Sequence, residues 1–278
     1  MKSIIIGAES DLGLHVDGTN LAARVLINEL KNNKFLYIKP KANACKNNVG
    51  DINNFNTEVY NTIINNKNYF PIMIGGDHSI SVASALASQN INHNIGVIWF
   101  DAHPDFNTFE TTITGNIHGL PLATIAGYNN SSLRIFHNNI TVNPENIVVV
   151  GARSIDKLEM ENLKNANIKI FTTNDIKNLG IEFIIKEALK IAGNNTNGIH
   201  ISYDLDVIDP IVAPGVSIPE INGISEEEAM VAHDLMLNNK KVVSFDLVEY
   251  NPLKDIDNKT KNIALNILNN TLKIISKK

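Results

Sequence analysis

Residues 95–107 read IGVIWFDAHPDFN: an apolar run ends at Phe100 and opens into Asp101, His103 and Asp105. The run predicts a strand over 96–100, and the polar residues that follow it at once predict a loop at the strand's C-terminal end. The same unit recurs along the chain. Apolar runs at 3–6, 35–38, 70–74, 147–150, 168–171, 198–203 and 242–247 predict seven more strands. Helical patterns lie between them, over 19–30 and from about Ser79, Ile155, Ile181, Ser225 and Asn258. About eight strands separated by helices imply a mainly parallel sheet covered by helices. Periodicity alone leaves a closed barrel and an open three-layer sheet both standing. No Gly/Ser/Pro-rich linker interrupts the pattern, so one domain over 1–278 is expected.

The composition limits what such a domain can do. With 44% hydrophobic and 19% charged residues, the 278-residue chain can bury a substantial core. Its 24 basic and 29 acidic residues give a net charge of −5 without a basic stripe, so no nucleic-acid partner is expected. The apolar runs are too short for a bilayer span, and the opening MKSIIIGAES has no signal-like apolar region. A cytoplasmic location without membrane contact is therefore the expectation. One cysteine, Cys45, can form neither an internal disulfide nor a thiolate metal cluster. Any metal would be held by oxygen and imidazole.

Four irregular stretches follow strands directly: Gly75-Gly76-Asp77-His78, 101–107, 204–210 and 249–252. In parallel α/β folds the C-terminal strand ends share one edge of the sheet, so these stretches are expected to meet. Asp101, His103 and Asp105 stand at alternate positions, which would turn them to one side if the chain stayed extended. Asp204 and Asp206 repeat the device in ISYDLDVIDP. A lone D-x-D is most often a solvated strand end or a helix cap, and a lone histidine such as His78 is most often packed. Together the six residues offer four carboxylates and two imidazoles, a set suited to Mn²⁺ or a similar cation. Two such ions about 3.5–4 Å apart can make hydroxide available at neutral pH, which implies metal-assisted hydrolysis. Asp77 and Asp209 read as structural, and His15, His93, His137, His200 and His233 lie outside the motifs and receive no role.

The segments GGDHS, DAHPDFN and SYDLDVIDP together resemble the metal motifs of the arginase/agmatinase (ureohydrolase) family, and the resemblance runs from IIIGAES to FDLVEYNP. It implies an open α/β/α three-layer fold with a mainly parallel eight-stranded sheet and two Mn²⁺ per chain. Asp101 and Asp204 would bridge the ions, His78 and Asp105 would complete one, and His103 and Asp206 the other. The segment TTITGNIHGLPLA (111–123) resembles the arginase branch. His118 there corresponds to a proton shuttle, while Asn107, Thr114 and Asn116 correspond to contacts for a substrate α-carboxylate. Asp156 in GARSIDKLEME corresponds to the reader of the α-amino group, with Glu159 beside it, and Glu249 in VEYNP to the partner of the guanidinium. A homo-oligomer, trimer or hexamer, is the corresponding expectation. Two segments depart from the family pattern: VDGTNLAARVL lacks a Gly-Pro pair, and Ile221-Asn222-Gly223 replaces a more glycine-rich turn at the site rim.

The expected reaction is hydrolysis of L-arginine to L-ornithine and urea. A guanidinium is a poor electrophile, so attack needs a strong nucleophile and a fixed carbon. Hydroxide held between the metals would be the nucleophile, and Glu249 would orient the cation by charge-assisted contact. His118, with Asp105, would deliver the proton that the departing nitrogen needs. Each assignment has a plainer alternative. Asn107, Thr114 and Asn116 could be turn formers, Asp156 a helix cap and Glu249 a solvated strand end. The rival activities are hydrolysis of agmatine or another guanidino compound, a catalytically silent metal-binding homologue, and a metallophosphatase, whose phosphate Glu249 would repel.

Overall fold

The computed structural model describes residues 1–30, 34–128 and 140–278; His137 lies outside the described residues. All eight expected strands form: β1 (Ser3–Ala8), β2 (Phe35–Ile38), β3 (Phe70–Ile74), β4 (Ile95–Phe100), β5 (Ile147–Ala152), β6 (Lys169–Thr172), β7 (Gly198–Asp204) and β8 (Val242–Val248). They make one sheet of order β2-β1-β3-β8-β7-β4-β5-β6 in which every neighbouring pair is parallel. The sheet is open, which resolves the choice that periodicity left standing.

Helices cover both faces because the central strands are apolar on both. In β4, Ile98 and Phe100 enter one core, while Val97 and Trp99 enter another on the opposite face. The first core is closed by α1 (Ala22–Ile27), α6 (Thr173–Leu179), α7 (Ile181–Ala192), α8 (Glu226–Asn238) and α9 (Lys259–Lys277). On the other face lie α2 (Val49–Asn65), α3 (Ser81–Asn92), α4 (Pro121–Ile125) and α5 (Lys157–Asn165). The result is the three-layer α/β/α arrangement. Among the described residues no helix is long and apolar enough to cross a membrane.

Several helical details differ from the sequence reading, among them the short α4 and α6, which it does not predict. The pattern over 19–30 divides into a 3₁₀ turn at Thr19–Leu21 followed by the short α1. The helix α2 was not anticipated. Its sequence VGDINNFNTEVYNTIIN is rich in asparagine, a weak helix former, yet Ile52, Phe55, Val59 and Ile63 form a buried stripe at helical spacing. Asn48 caps it by accepting a hydrogen bond from the Asp51 amide at 3.0 Å.

The contact between α8 and α9 contains a fully buried imidazole. His233 Nε2 lies 2.8 Å from Thr271 Oγ1, and burial pushes its pKa down to about 4 against the pull of Asp234. The unfolded chain therefore binds a proton between about pH 6.5 and 4 that the folded chain refuses. Stability is expected to fall by about 3 kcal/mol across that window as pH drops. Denaturant unfolding at pH 7, 5.5 and 4 should show a shallower acid loss for His233→Gln than for the native chain; identical slopes would remove His233 as the cause.

Candidate metal centre and substrate pocket

The four irregular stretches meet because of strand order. β3, β8, β7 and β4 are consecutive in the middle of the sheet, and their C-terminal ends carry His78, Glu249, the 204–206 segment and the 101–105 segment respectively. Asp156 follows β5, the next strand along.

Local hydrogen bonding aims the acidic residues. Asp101 Oδ1 accepts from the His103 amide at 2.7 Å, and Asp204 Oδ1 accepts from the Asp206 amide at 2.8 Å. Each is an aspartate bonding its own backbone two residues on, which bends the chain and brings both side chains of the pair to one place. Asp77 makes the same turn with the Ser79 amide at 3.0 Å, and its other oxygen accepts from Gly13 N and Ser10 Oγ, each at 3.2 Å. That is a structural role, as expected. Gly76 lies so close to Ser10 that a Cβ there would overlap the Ser10 carbonyl, so the glycine is required for the turn.

The extended alternation expected over 101–105 does not hold. Asp105 has φ 51°, in the left-handed region, and reaches the cluster through that turn and not through strand geometry. Glu249 likewise has φ 64°. It is buried and hydrogen-bonded, not a solvated strand end: its Oε1 accepts from the His78 amide at 2.8 Å and lies 3.1 Å from His118 Nδ1.

The six residues converge. His78 Nδ1 stands 3.0 Å from Asp101 Oδ2, 3.2 Å from Asp105 Oδ2 and 3.1 Å from Asp204 Oδ2. His103 Nδ1 stands 2.9 Å from Asp206 Oδ2 and 3.6 Å from Asp101 Oδ1. Asp101 thus belongs to both groupings, His78–Asp101–Asp105 and Asp101–His103–Asp206. The His78 ring stacks on Trp99 with centroids 3.9 Å apart and planes 7° from parallel. Its outer nitrogen, Nε2, is 2.7 Å from Ser202 Oγ, which donates to Ser81 Oγ at 3.0 Å.

The electrostatics of the cluster call for added positive charge. Burial first, and then the charges of neighbouring aspartates, push Asp204 and Asp206 up and Asp105 up to about 6. Burial opposes charge on the rings of His78 and His103, yet the surrounding carboxylates outweigh it and draw protons onto both. Asp101 is held low by the same two rings against its own burial. A divalent cation would meet this demand better than two protons. Buried His78 Nδ1 and Asp101 Oδ2 have no properly directed hydrogen-bond partner among the described residues despite their short separations. Donor atoms that approach one another without bonding are arranged for something placed between them, and the imidazole–carboxylate set fits divalent ions.

A cavity of about 230 Å³ opens beside the cluster. His103, Asp105, Asn107, Thr114, Asn116, His118, Asp156 and Glu159 line it, so every expected substrate contact except Glu249 faces it directly. Glu249 adjoins the cavity through His118, whose Nδ1 lies 3.1 Å from Glu249 Oε1. Asp156 is the N-cap of α5, and it accepts a bond from Asn107 Nδ2 at 3.2 Å. Glu159 ties α5 to the 101–107 segment by accepting from Phe106 N at 2.8 Å, and burial pushes its carboxyl up to about 8. The turn-forming alternative also has substance: Thr114 Oγ1 accepts from the Asn116 amide at 3.2 Å and Asn116 Oδ1 from the His15 amide at 3.2 Å. Burial works against charge on His118, but the adjacent Glu249 carboxylate outweighs it and raises the imidazole pKa.

The sequence reading did not single out Ser154, Ile218 and Glu220, which also line the cavity, nor Ser202 and Arg153. Ser202 was visible in principle, two residues before Asp204 on the same face of β7. The others are defined only by contacts that cross the fold.

An open parallel α/β/α sheet carrying a carboxylate–imidazole cluster at the ends of its central strands defines the class of protein. The particular family follows from comparison with known proteins. The Arginase family model matches residues 1–273, and the chain belongs to that family. It is 40% identical over 220 residues to an arginase of Staphylococcus aureus (strain COL), covering 78% of this chain and 72% of that protein. The crystal structure of arginase from Bacillus subtilis superposes with a TM-score of 0.88 at 31% identity, covering 98% of both chains. The Entamoeba histolytica arginase in complex with L-ornithine gives 0.87 at 31% identity, again over 98% of both.

Proposed function

We propose that the protein hydrolyses L-arginine to L-ornithine and urea, using two Mn²⁺ ions held by His78, Asp101, His103, Asp105, Asp204 and Asp206. The observation that carries the reading is the convergence of these six side chains in two groupings that share Asp101, with His78 Nδ1 within 3.0–3.2 Å of the carboxylates of Asp101, Asp105 and Asp204 and His103 Nδ1 2.9 Å from Asp206 Oδ2. Asp101 and Asp204 would be shared, His78 and Asp105 would hold one ion, and His103 and Asp206 the other. When bound, such a pair would lower the pKa of a water between them and so supply hydroxide near neutral pH.

The remaining residues bind and orient the substrate. Glu249 Oε2 is buried without a hydrogen-bond partner among the described residues, an unmet acceptor suited to the N–H groups of a guanidinium. Glu249 then fixes the plane of that group facing the cluster. His118 touches Glu249 Oε1 and faces the cavity, so it can carry a proton between the pocket and the departing nitrogen, with Asp105 nearby. At the other end of the substrate, Asp156 accepts and the amide of Asn107 donates, side by side. An α-amino acid head presents an ammonium and a carboxylate on one carbon, and this pair of groups matches it. Thr114 and Asn116 extend the donor set, and Glu159 steadies Asp156 by accepting from its amide at 3.3 Å.

The reading takes residues 1–278 as one domain, supported by a sheet whose strands run from Ser3 to Val248. It places the protein in the cytoplasm as a homo-oligomer, trimer or hexamer, which the lone exposed Cys45 suits as far as compartment is concerned. The test is urea release from arginine and from agmatine by Mn²⁺-loaded protein. Arginine should be strongly preferred, and Asp156→Ala should lower kcat/KM for arginine by about 10–100-fold, the loss of a charged hydrogen bond, while leaving agmatine turnover unchanged. Agmatine turnover equal to that of arginine, or no urea from either, would refute the assignment.

A further inference from the structure

Both imidazoles of the cluster present Nδ1 to the carboxylates, and this leaves each Nε2 pointing away. A neutral imidazole that gives Nδ1 to a cation carries its proton on Nε2, and that N–H needs an acceptor. For His78 the acceptor is Ser202 Oγ, deep in the sheet. The group facing Nε2 of His103 is the carboxylate of Glu220, with Oε1 at 3.6 Å. That separation is an ion-pair contact and not a full hydrogen bond. His103 is also the less enclosed of the two rings, with 21% of its side chain exposed against 1% for His78, so packing alone constrains it less.

Glu220 is itself held. The Arg153 guanidinium donates to the backbone carbonyls of Glu220 at 2.9 Å and Ile221 at 3.0 Å on one side, and of Asp206 at 2.6 Å and Val207 at 3.1 Å on the other. One side chain therefore clamps the rim segment to the segment that carries Asp206. The clamp fixes the backbone of Glu220 against the segment that carries Asp206, whose carboxylate faces the inner nitrogen of the same ring.

We propose that Glu220 is a positioning residue that holds His103 by its outer nitrogen, so that the inner nitrogen is presented to a cation shared with Asp101 and Asp206. The proposal rests on the two-cation reading given above. It gives the rim segment, where Ile221-Asn222-Gly223 departs from the family pattern, a mechanical link to one half of the cluster.

The experiment is calorimetric titration of metal-free protein with MnCl₂, comparing the native chain with Glu220→Ala and Glu220→Gln. Glu220 is partly exposed, and thermal unfolding of the metal-free variants should match the native protein. In Glu220→Ala one of the two Mn²⁺ affinities should fall by about 10–100-fold, the usual effect of removing a carboxylate that supports a ligand histidine, and the other should stay unchanged. Glu220→Gln should recover most of the loss, because its amide oxygen can face the ring nitrogen as the carboxylate oxygen does. Affinities within twofold of native in Glu220→Ala would overturn the proposal, as would equal weakening of both sites or a raised KM for arginine with metal binding intact. Failure of the native chain to bind Mn²⁺ at all would instead sink the two-cation reading.

Discussion

An Asp101→Ala variant is expected to lose urea release from arginine by about 10²–10⁴-fold and to retain fewer than two Mn²⁺ per chain. Asp101 is the one residue common to both groupings of donors. Its Oδ1 shapes the turn that presents His103, and its Oδ2 faces His78. Alanine removes a shared ligand and the turn together. It also leaves the buried ring of His78 and the partly exposed ring of His103 without the carboxylate that faces them, and a loss of about 3–5 kcal/mol in transition-state stabilisation corresponds to the stated range in rate. Metal content per chain, measured beside the urea assay, checks both halves of the expectation. Full metal content with near-native turnover would show that Asp101 is not a shared ligand.

A Glu249→Gln variant is expected to keep its metal and lose its reaction. The glutamine carbonyl can still accept from the His78 amide as Glu249 Oε1 does at 2.8 Å, so the cluster retains its shape. What disappears is the negative charge beside the guanidinium. Its loss should lower kcat/KM for arginine by about 10²–10⁴-fold, the cost of removing one member of a desolvated charge pair. Mn²⁺ content at the native level together with this loss separates orientation of the substrate from assembly of the metal centre. A near-native rate would mean that another group holds the guanidinium.

The central strands were legible because they are largely apolar runs, a consequence of being buried on both faces of the sheet, whereas the edge strands β2 and β6 are short and partly exposed. The six donors were legible because they recur after three apolar runs, a combination that solvated strand ends, caps and packed histidines, ordinary one at a time, do not explain together. What escaped were features that depend on distant partners. Arg153 receives no role from the sequence, and only the fold shows it gripping four backbone carbonyls of the segments that carry Asp206 and Glu220. The direction of Asp105 was expected from strand alternation, whereas a left-handed turn sets it. The helix α2 was hidden because its asparagines weaken the propensity signal while its buried stripe supplies the stability.

The backbone at Asp105 and Glu249 sets folding and turnover against each other. Both residues occupy the left-handed region, which costs most L side chains about 1–2 kcal/mol and an aspartate less, and which glycine would adopt freely. Glycine at either position would delete a carboxylate on which the proposed chemistry depends. Selection for robustness alone would therefore drift toward glycine or asparagine at 105 and 249, whereas selection for nitrogen release would keep the acids and tolerate the loss.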